Sequence, residues 1–235
     1  MTARSAVKAQ RFPPALVGVI ATRADLRRAV RLRQLPDFFE LRLDALLPIL
    51  GEVESSISKL RAPLIMTARH PQEGGKHNLS PTRRRELLQR FLPVAQLVDV
   101  ELRSARQLAP LLRTTRERGV GLIISVHKLD RMPSQQWMNA QLKAALRLQP
   151  RIFKLAVRTD TPNDVLELLA FYTKASGRVP LAAMGVGKCG RSARVALLHH
   201  GSVHNYGYLV DPQLSGQISL AALRRIRQKR RTDRI

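Results

Sequence analysis

The chain has 235 residues, 44% of them hydrophobic, enough for one large core or two small ones, and a formal charge of +24 that is extreme for a soluble domain. Its single cysteine, Cys189, excludes an intrachain disulfide and fits a reducing, cytoplasmic setting. No run approaches the ~18 apolar residues of a membrane span, and the opening MTARSAVKAQRFPP lacks the apolar core of a secretory signal, although a short basic transit peptide stays open.

Strand and helix patterns alternate from the start. PALVGVIA (14–21) precedes a helical 23–35, and FFELRLDAL (38–46) precedes a helical 47–61. PLIMTAR (63–69) is followed by the long loop HPQEGGKHNLS and a helix from Pro81, with Ser80 as N-cap and the proline at the first helical position. LVDVEL (97–102) leads to a helical 104–119 closed by Gly119. GLIISVH (121–127) leads to 133–149. IFKLAV (152–157) leads to 161–177, capped by Thr161 and ended by Gly177. PLAAMG (180–185) precedes 192–201, and VHNYGYLV (203–210) precedes 219–231. Strands that alternate with helices in this way predict a parallel sheet, and eight such units at this length fit one closed (β/α)8 TIM barrel. Basic extensions are expected over 1–12 and 226–235, where the run 224–234 carries seven Lys or Arg and one Asp.

The alternation places ionisable residues on one face of five successive strands: Glu40, Arg42 and Asp44; Thr67 and Arg69; Asp99 and Glu101; Ser125 and His127; and Lys154, which shares its face with Ile152 and Ala156. Buried charges are costly unless paired, so five such strands in register point to a polar site inside the sheet. An open doubly wound sheet does not account for this, because its central strands are apolar on both faces. In a barrel the site lies at the C-terminal strand ends, and Arg69, His127 and Gly185 close their strands there.

Lys154, between Phe153 and Leu155, points inward. A desolvated lysine near other cations has a lowered pKa and attacks carbonyls; the competing reading is a lysine that snorkels to the rim or pairs with Asp99 or Glu101. His127 ends the neighbouring strand and is expected beside Lys154 as a proton shuttle, against the plain reading of a satisfied strand-end histidine. Glu73, in the loop after the third strand, could orient His127 and fix its tautomer, or belong to an ordinary Gly-Gly turn. The other five histidines are assigned to loops and helix ends, and His199–His200 has no zinc-site spacing, so no metal is expected. The stretch from Gly185 to Gly190 matches G-x-G-x-x-G with Asp211 further on, but it falls in the seventh unit, and Lys188 and Cys189 would crowd a pyrophosphate turn. A glycine-rich loop over an anionic substrate explains it as well.

Several motifs occur in order: Glu40-Leu-Arg42-Leu-Asp44, Arg69 with Glu73-Gly74-Gly75, Asp99-Val-Glu101-Leu, Ser125-Val-His127, Phe153-Lys154-Leu-Ala156, Met184-Gly185 with Gly187-Lys188-Cys189-Gly190 through Ser192 and Arg194, and Ser215-Gly216-Gln217-Ile218. Together, over nearly the whole chain, they resemble the type I 3-dehydroquinate dehydratase family. The resemblance implies a (β/α)8 barrel that dehydrates 3-dehydroquinate to 3-dehydroshikimate in the shikimate pathway, through a lysine imine, with no metal or cofactor, as a homodimer. It implies Lys154 as the imine lysine, His127 as the histidine that moves the C2 proton and then protonates the departing hydroxyl, and Glu73 as its carboxylate partner. Glu40, Arg42 and Arg69 match residues that hold substrate hydroxyls, Arg194 the arginine that clamps the substrate carboxylate, and Gln217 the glutamine of a closing last loop. Where the family commonly has a serine four positions before that glutamine this chain has Gln213, which is expected either to supply the hydrogen bond or to weaken closure. Val126 and Lys128 also replace a common aromatic and a common acid.

Two other readings stay open. One is another lysine-imine barrel, such as an aldolase, distinguished by product mass. The other is a catalytically weak basic barrel that binds nucleic acid or another polyanion through non-specific charge, a reading supported by the C-terminal basic run but not by any aromatic stacking platform.

Overall fold

The computed structural model describes residues 13–232. The expected N-terminal extension over 1–12, the possible transit peptide and residues 233–235 therefore lie outside the described residues.

Eight parallel strands form the wall: β1 (Ala15–Ile20), β2 (Phe38–Arg42), β3 (Leu64–Thr67), β4 (Leu97–Glu101), β5 (Gly121–Lys128), β6 (Ile152–Arg158), β7 (Leu181–Val186) and β8 (His204–Tyr208). Each is followed by a helix: α1 (Arg23–Val30), α2 (Leu50–Ser56), α3 (Pro81–Phe91), α4 (Ala109–Glu117), α5 (Gln135–Leu146), α6 (Pro162–Ala175), α7 (Gly190–His200) and α8 (Leu220–Thr232). Ladders join each strand from β1 to β7 to the next, and β8 to β1. The seam between β7 and β8 is closed by the Val203 amide donating to Leu181 O at 3.1 Å and by Ser202 Oγ, which accepts from the Ala183 amide at 3.1 Å. The result is the (β/α)8 barrel expected from the alternation.

Side-chain period divides the core in two. Val17, Ile65, Leu97, Ile123 and Ile152 fill the interior of the barrel, while Phe39, Leu41, Leu43, Val98, Val100, Phe153 and Leu155 pack outward under the helices. Caps fix where helices begin. Ser80 Oγ accepts from the Arg83 amide at 3.2 Å, and Thr161 and Asp164 form a reciprocal capping box. Gly119, at φ 68°, takes the left-handed position after α4. Gly177 is not left-handed: α6 ends at Ala175 with Ser176 as its C-cap.

A two-residue strand, β9 (Ile218–Ser219), pairs with β8 inside the last loop. It is too short for periodicity to mark. The C-terminal basic run continues α8 as far as Thr232, and two of its arginines fold back onto the barrel: Arg227 pairs with Asp37 at 2.5 Å and Arg224 donates to Gln34 O at 2.8 Å. Among the described residues no helix is long and apolar enough to cross a membrane.

Candidate active site

Above the apolar floor the interior becomes a layer of charges. Lys154 is 3% exposed, and its Nζ donates to Asp99 Oδ2 at 2.9 Å and to Glu40 Oε1 at 3.1 Å. The ammonium also lies 3.9 Å from the centre of the Tyr206 ring. Its direct contacts are therefore two carboxylates and an aromatic face: the pairing with Asp99 weighed from sequence is present, and the nearby cation, Arg69, shares both carboxylates with it. Arg69 carries the other positive charge. Its Nη1 and Nη2 grip Asp99 at 3.1 and 2.9 Å, and Nη1 also reaches Glu101 at 3.1 Å and Ser125 Oγ at 2.8 Å. Burial opposes the charge on Arg69, but Asp99, Glu101 and Glu40 hold its guanidinium well above the usual range. Burial likewise opposes ionisation of Asp99, yet Arg69 and Lys154 keep it well below the ordinary carboxylate range. Thr67 Oγ1 completes the layer, donating to Glu40 at 3.0 Å.

His127 lies one inward-facing step beyond this layer. Ser125, not His127, is opposite Lys154 in the ladder, and His127 is opposite Ala156, so lysine and histidine are diagonal neighbours rather than side by side. Glu73 Oε2 accepts from the His127 amide at 3.0 Å and faces its Nδ1 at 2.9 Å. Burial, with Arg69 and Lys154 adding repulsion, holds the imidazole well below the usual histidine range, so it is neutral near pH 7. Burial and the facing Glu101 push Glu73 up to about 7. The carboxylate is carried on a one-turn segment, Pro71–Glu73, and the two glycines after it are required by geometry. Gly74 is left-handed at φ 87°, and a Cβ on Gly75 would meet Arg69 O at 2.2 Å.

Arg42 turns from the interior to grip Asp44 with two hydrogen bonds, at 3.0 and 2.8 Å, and donates to Gly74 O at 3.1 Å. Asp44 lies past the end of β2, where it also accepts from the Arg69 and Lys76 amides at 3.0 and 2.9 Å. Arg194, one turn into α7, is buried and donates to Gly185 O at 2.9 Å and Tyr206 O at 3.2 Å. Among the described residues no carboxylate pairs with it, and burial lowers it to about 10. A buried cation held only by carbonyls suits an anionic ligand.

The last loop is arranged differently from the expectation for a lid. Gln217 Oε1 turns back to accept from the Gln213 and Leu214 amides at 2.5 and 3.2 Å, and Gln213 is exposed. The loop is docked on the glycine-rich turn. The Gly187 amide donates to Ser215 O at 3.0 Å, and a Cβ on Gly216 would meet Gly187 O at 2.7 Å. Gly187 and Gly190 of the G-x-G-x-x-G match thus let the backbone pack closely on the last loop, while a Cβ on Gly185 would meet Thr159 Oγ1 at 2.4 Å.

Sequence reasoning passed over Tyr206 and misplaced His204. Both lie on β8, facing inward at period two with Phe38, whose ring centre is 5.1 Å from that of His204. Burial lowers His204 to about 4 and, with Glu40 and Asp99, raises the Tyr206 phenol well above its usual range, so both stay uncharged. The strand 203–210 carried that signal, but aromatics on an inward face read equally well as core. Among the described residues no group of three or more His, Cys, Asp or Glu side chains is placed to hold a metal ion.

Comparison with known proteins decides the family. A family model described as Type I 3-dehydroquinase matches residues 17–233. The chain belongs to that family. A 3-dehydroquinate dehydratase of Methanocella arvoryzae is 32% identical over 215 residues, covering 90% of this chain and 94% of the relative. The crystal structure of 3-dehydroquinate dehydratase from Geobacillus kaustophilus superposes with a TM-score of 0.84 at 27% identity, over 97% of this chain and 98% of that one. That from Aquifex aeolicus gives 0.77 at 28%, over 91% and 97%. Membership in this family makes the chain an enzyme of the hydro-lyase class.

Proposed function

We propose that the protein removes water from 3-dehydroquinate to give 3-dehydroshikimate, through an imine on Lys154 with His127 as proton shuttle. One observation carries this reading: a buried lysine and a neutral histidine stand one inward step apart in a family-typical barrel whose buried Arg194 has, among the described residues, no anionic partner. Attack on the ketone requires the amine, so Lys154 must first lose a proton, and His127 is the neutral base nearest in register. Adding the amine and expelling one water, with the proton held by His127 returned to the departing oxygen, gives a cationic imine and leaves His127 neutral again. Asp99 and Glu40, which hold the ammonium, then face a cation at the same nitrogen. The imine draws electrons from C2, His127 takes that proton and returns it to the departing hydroxyl, and hydrolysis of the imine consumes one water and frees Lys154. Two waters leave and one enters, a net loss of one.

In this reading Glu40, Arg42 and Arg69 hold substrate hydroxyls, and Arg194 receives the substrate carboxylate. The homodimer implied by the family resemblance belongs to the same reading, and sedimentation of the purified protein checks it. The deciding experiment is borohydride reduction with 3-dehydroquinate, peptide mapping and product mass. A label on the Lys154 peptide together with loss of 18 mass units from the substrate, roughly one water, supports the reading. Carbon–carbon cleavage products would identify an aldolase-type barrel instead. DNA retention without turnover would favour the polyanion reading.

Two further results are expected in steady-state kinetics. Arg194→Ala should raise KM by about 30-fold or more, the weak end of the ~2–5 kcal/mol lost when one partner of a buried charged pair is removed. Arg194→Lys should rescue little, because an ammonium lacks the two-pronged geometry. An unchanged KM would remove Arg194 from the carboxylate site. For Gln217 to reach a substrate it must abandon the Gln213 and Leu214 amides, so Gln217→Ala should raise KM and lower kcat together. Gln213→Ser should tighten substrate binding if the glutamine impairs closure. If neither substitution changes any constant, the loop is not a lid.

A further inference from the structure

Arg84 is the largest fully buried side chain among the described residues, and nothing in the proposed reaction uses it. It enters from α3, outside the barrel wall. Its Nε donates to Ala68 O at 2.7 Å, Nη1 to Ser104 Oγ at 2.9 Å, and Nη2 to Glu101 Oε2. Ser104 Oγ also donates to Glu101 Oε2, at 3.2 Å. The other oxygen of Glu101 faces the site: Oε1 accepts from Arg69 Nη1 at 3.1 Å and from the His70 amide at 2.9 Å. His70 O in turn accepts from the Glu73 amide at 2.9 Å. One carboxylate thus joins a cation behind the wall to the arginine beside Lys154 and to the turn that carries Glu73. We propose that Arg84 is a positioning residue for the reaction. It anchors Glu101, and through it Arg69 and the Glu73 turn, and its charge offsets the Glu101 carboxylate that would otherwise bear fully on the Glu73–His127 pair.

The surrounding charges make this effect legible. Glu73 is faced by His127 and its amide from β5, by Glu101 from β4, by Arg69 beyond β3 and by Arg103 after β4. His127 is faced by Arg69, Lys154, Asp99 and Arg42 as well as Glu73. His70 is itself held below the usual histidine range by burial, then by Arg84 and Arg103, and burial and Arg103 remain to oppose its charge when Arg84 is replaced. Among the described residues Glu101 therefore has two cations in contact, Arg69 and Arg84, and of these Arg84 has no contact with Asp99 or Glu40. A buried ion pair that served stability alone would change the melting temperature when broken. A positioning role must also change the protonation of a group that Arg84 does not touch.

The inference rests on the proposed function for the reaction, but it has a readout that does not need substrate. Ring-nitrogen NMR of His127 across pH, in free wild-type protein and in Arg84→Gln and Arg84→Lys, follows titration of the Glu73–His127 pair. Arg84→Gln should move the midpoint upward by at least about half a pH unit, since Glu101 loses a compensating charge, and Arg84→Lys should leave it within about 0.2. The acid limb of kcat/KM should shift in parallel. Should Arg84→Gln fail to fold, Glu101→Gln carries the test and must move the midpoint downward. An unmoved midpoint in folded Arg84→Gln or in Glu101→Gln, or a lysine variant that shifts as far as the glutamine variant, overturns the inference. Wild-type protein inactive on 3-dehydroquinate but showing these shifts would sink the proposed reaction and leave standing only the control of the Glu73–His127 pair by Arg84.

Discussion

Lys154→Ala should abolish both turnover and borohydride trapping. The lysine is the only amine placed in the charged layer of the barrel interior among the described residues, where Asp99, Glu40 and the Tyr206 ring surround it. Without that amine the covalent route disappears, and what remains is whatever binding and acid–base groups achieve alone. The expected loss in kcat is on the order of 10⁴-fold or more. The fold should survive less well than activity suggests. Removing the cation leaves Asp99 and Glu40 with Arg69 as their remaining cationic partner in a buried layer, and breaking a buried ion pair costs about 3–5 kcal/mol. Circular dichroism and a melting curve are therefore needed beside the assay. Lys154→Met, which keeps the volume, separates loss of chemistry from loss of packing. A Lys154→Ala protein that still traps substrate, with the label on Lys188, would move the imine elsewhere.

The second large effect belongs to His127 and its dependence on pH. His127→Ala should slow turnover by about 10²–10⁴-fold while imine formation with 3-dehydroquinate still gives a trapped adduct. Near-normal turnover would show that another group carries the proton. The wild-type profile follows from the two shifts. His127 is held well below the usual range and stays neutral, so the group that titrates near neutrality is Glu73, at about 7. Above that pH Glu73 is a carboxylate. It accepts the Nδ1 proton and leaves the Nε2 lone pair free to act as a base. Below it the carboxyl is protonated and donates to Nδ1, so the ring proton sits on Nε2, the wrong tautomer. Activity should rise with pH and reach half its plateau near 7. Glu73→Gln, whose amide cannot titrate, should abolish that limb and lower the plateau by roughly ten- to a thousandfold, as expected for an orienting group. A limb that persists unchanged in Glu73→Gln would assign the titration to a different group.

The amino-acid sequence determined more here than sequences usually do, for reasons that particular residues make plain. Eight strand–helix alternations specify a parallel sheet, and polar residues on the inward side of Glu40, Thr67, Asp99, Ser125 and Lys154 are compatible with a barrel and not with an open sheet. Period-two alternation is local, so it is visible in the chain itself. The Gly74–Gly75 pair and the caps at Ser80 and Thr161 are local for the same reason. Partnerships are not local. Whether Lys154 faces cations or carboxylates depends on the stagger of β2, β4 and β6 around the barrel, and only closure brings Glu40 to Lys154 across 114 positions. The stagger also set His127 one step beyond Lys154 instead of level with it. Arg84 stands in the run Arg83–Arg85 of α3, with nothing local to set it apart, and packing against β4 makes it a buried counterion. The family resemblance casts Gln217 as a substrate ligand, and only the folded loop shows that its Oε1 accepts from the amides of Gln213 and Leu214. What the chain decides alone is which way each residue faces; what the tertiary structure decides is which charge it meets, because a buried ion takes the partner that register and closure bring within reach.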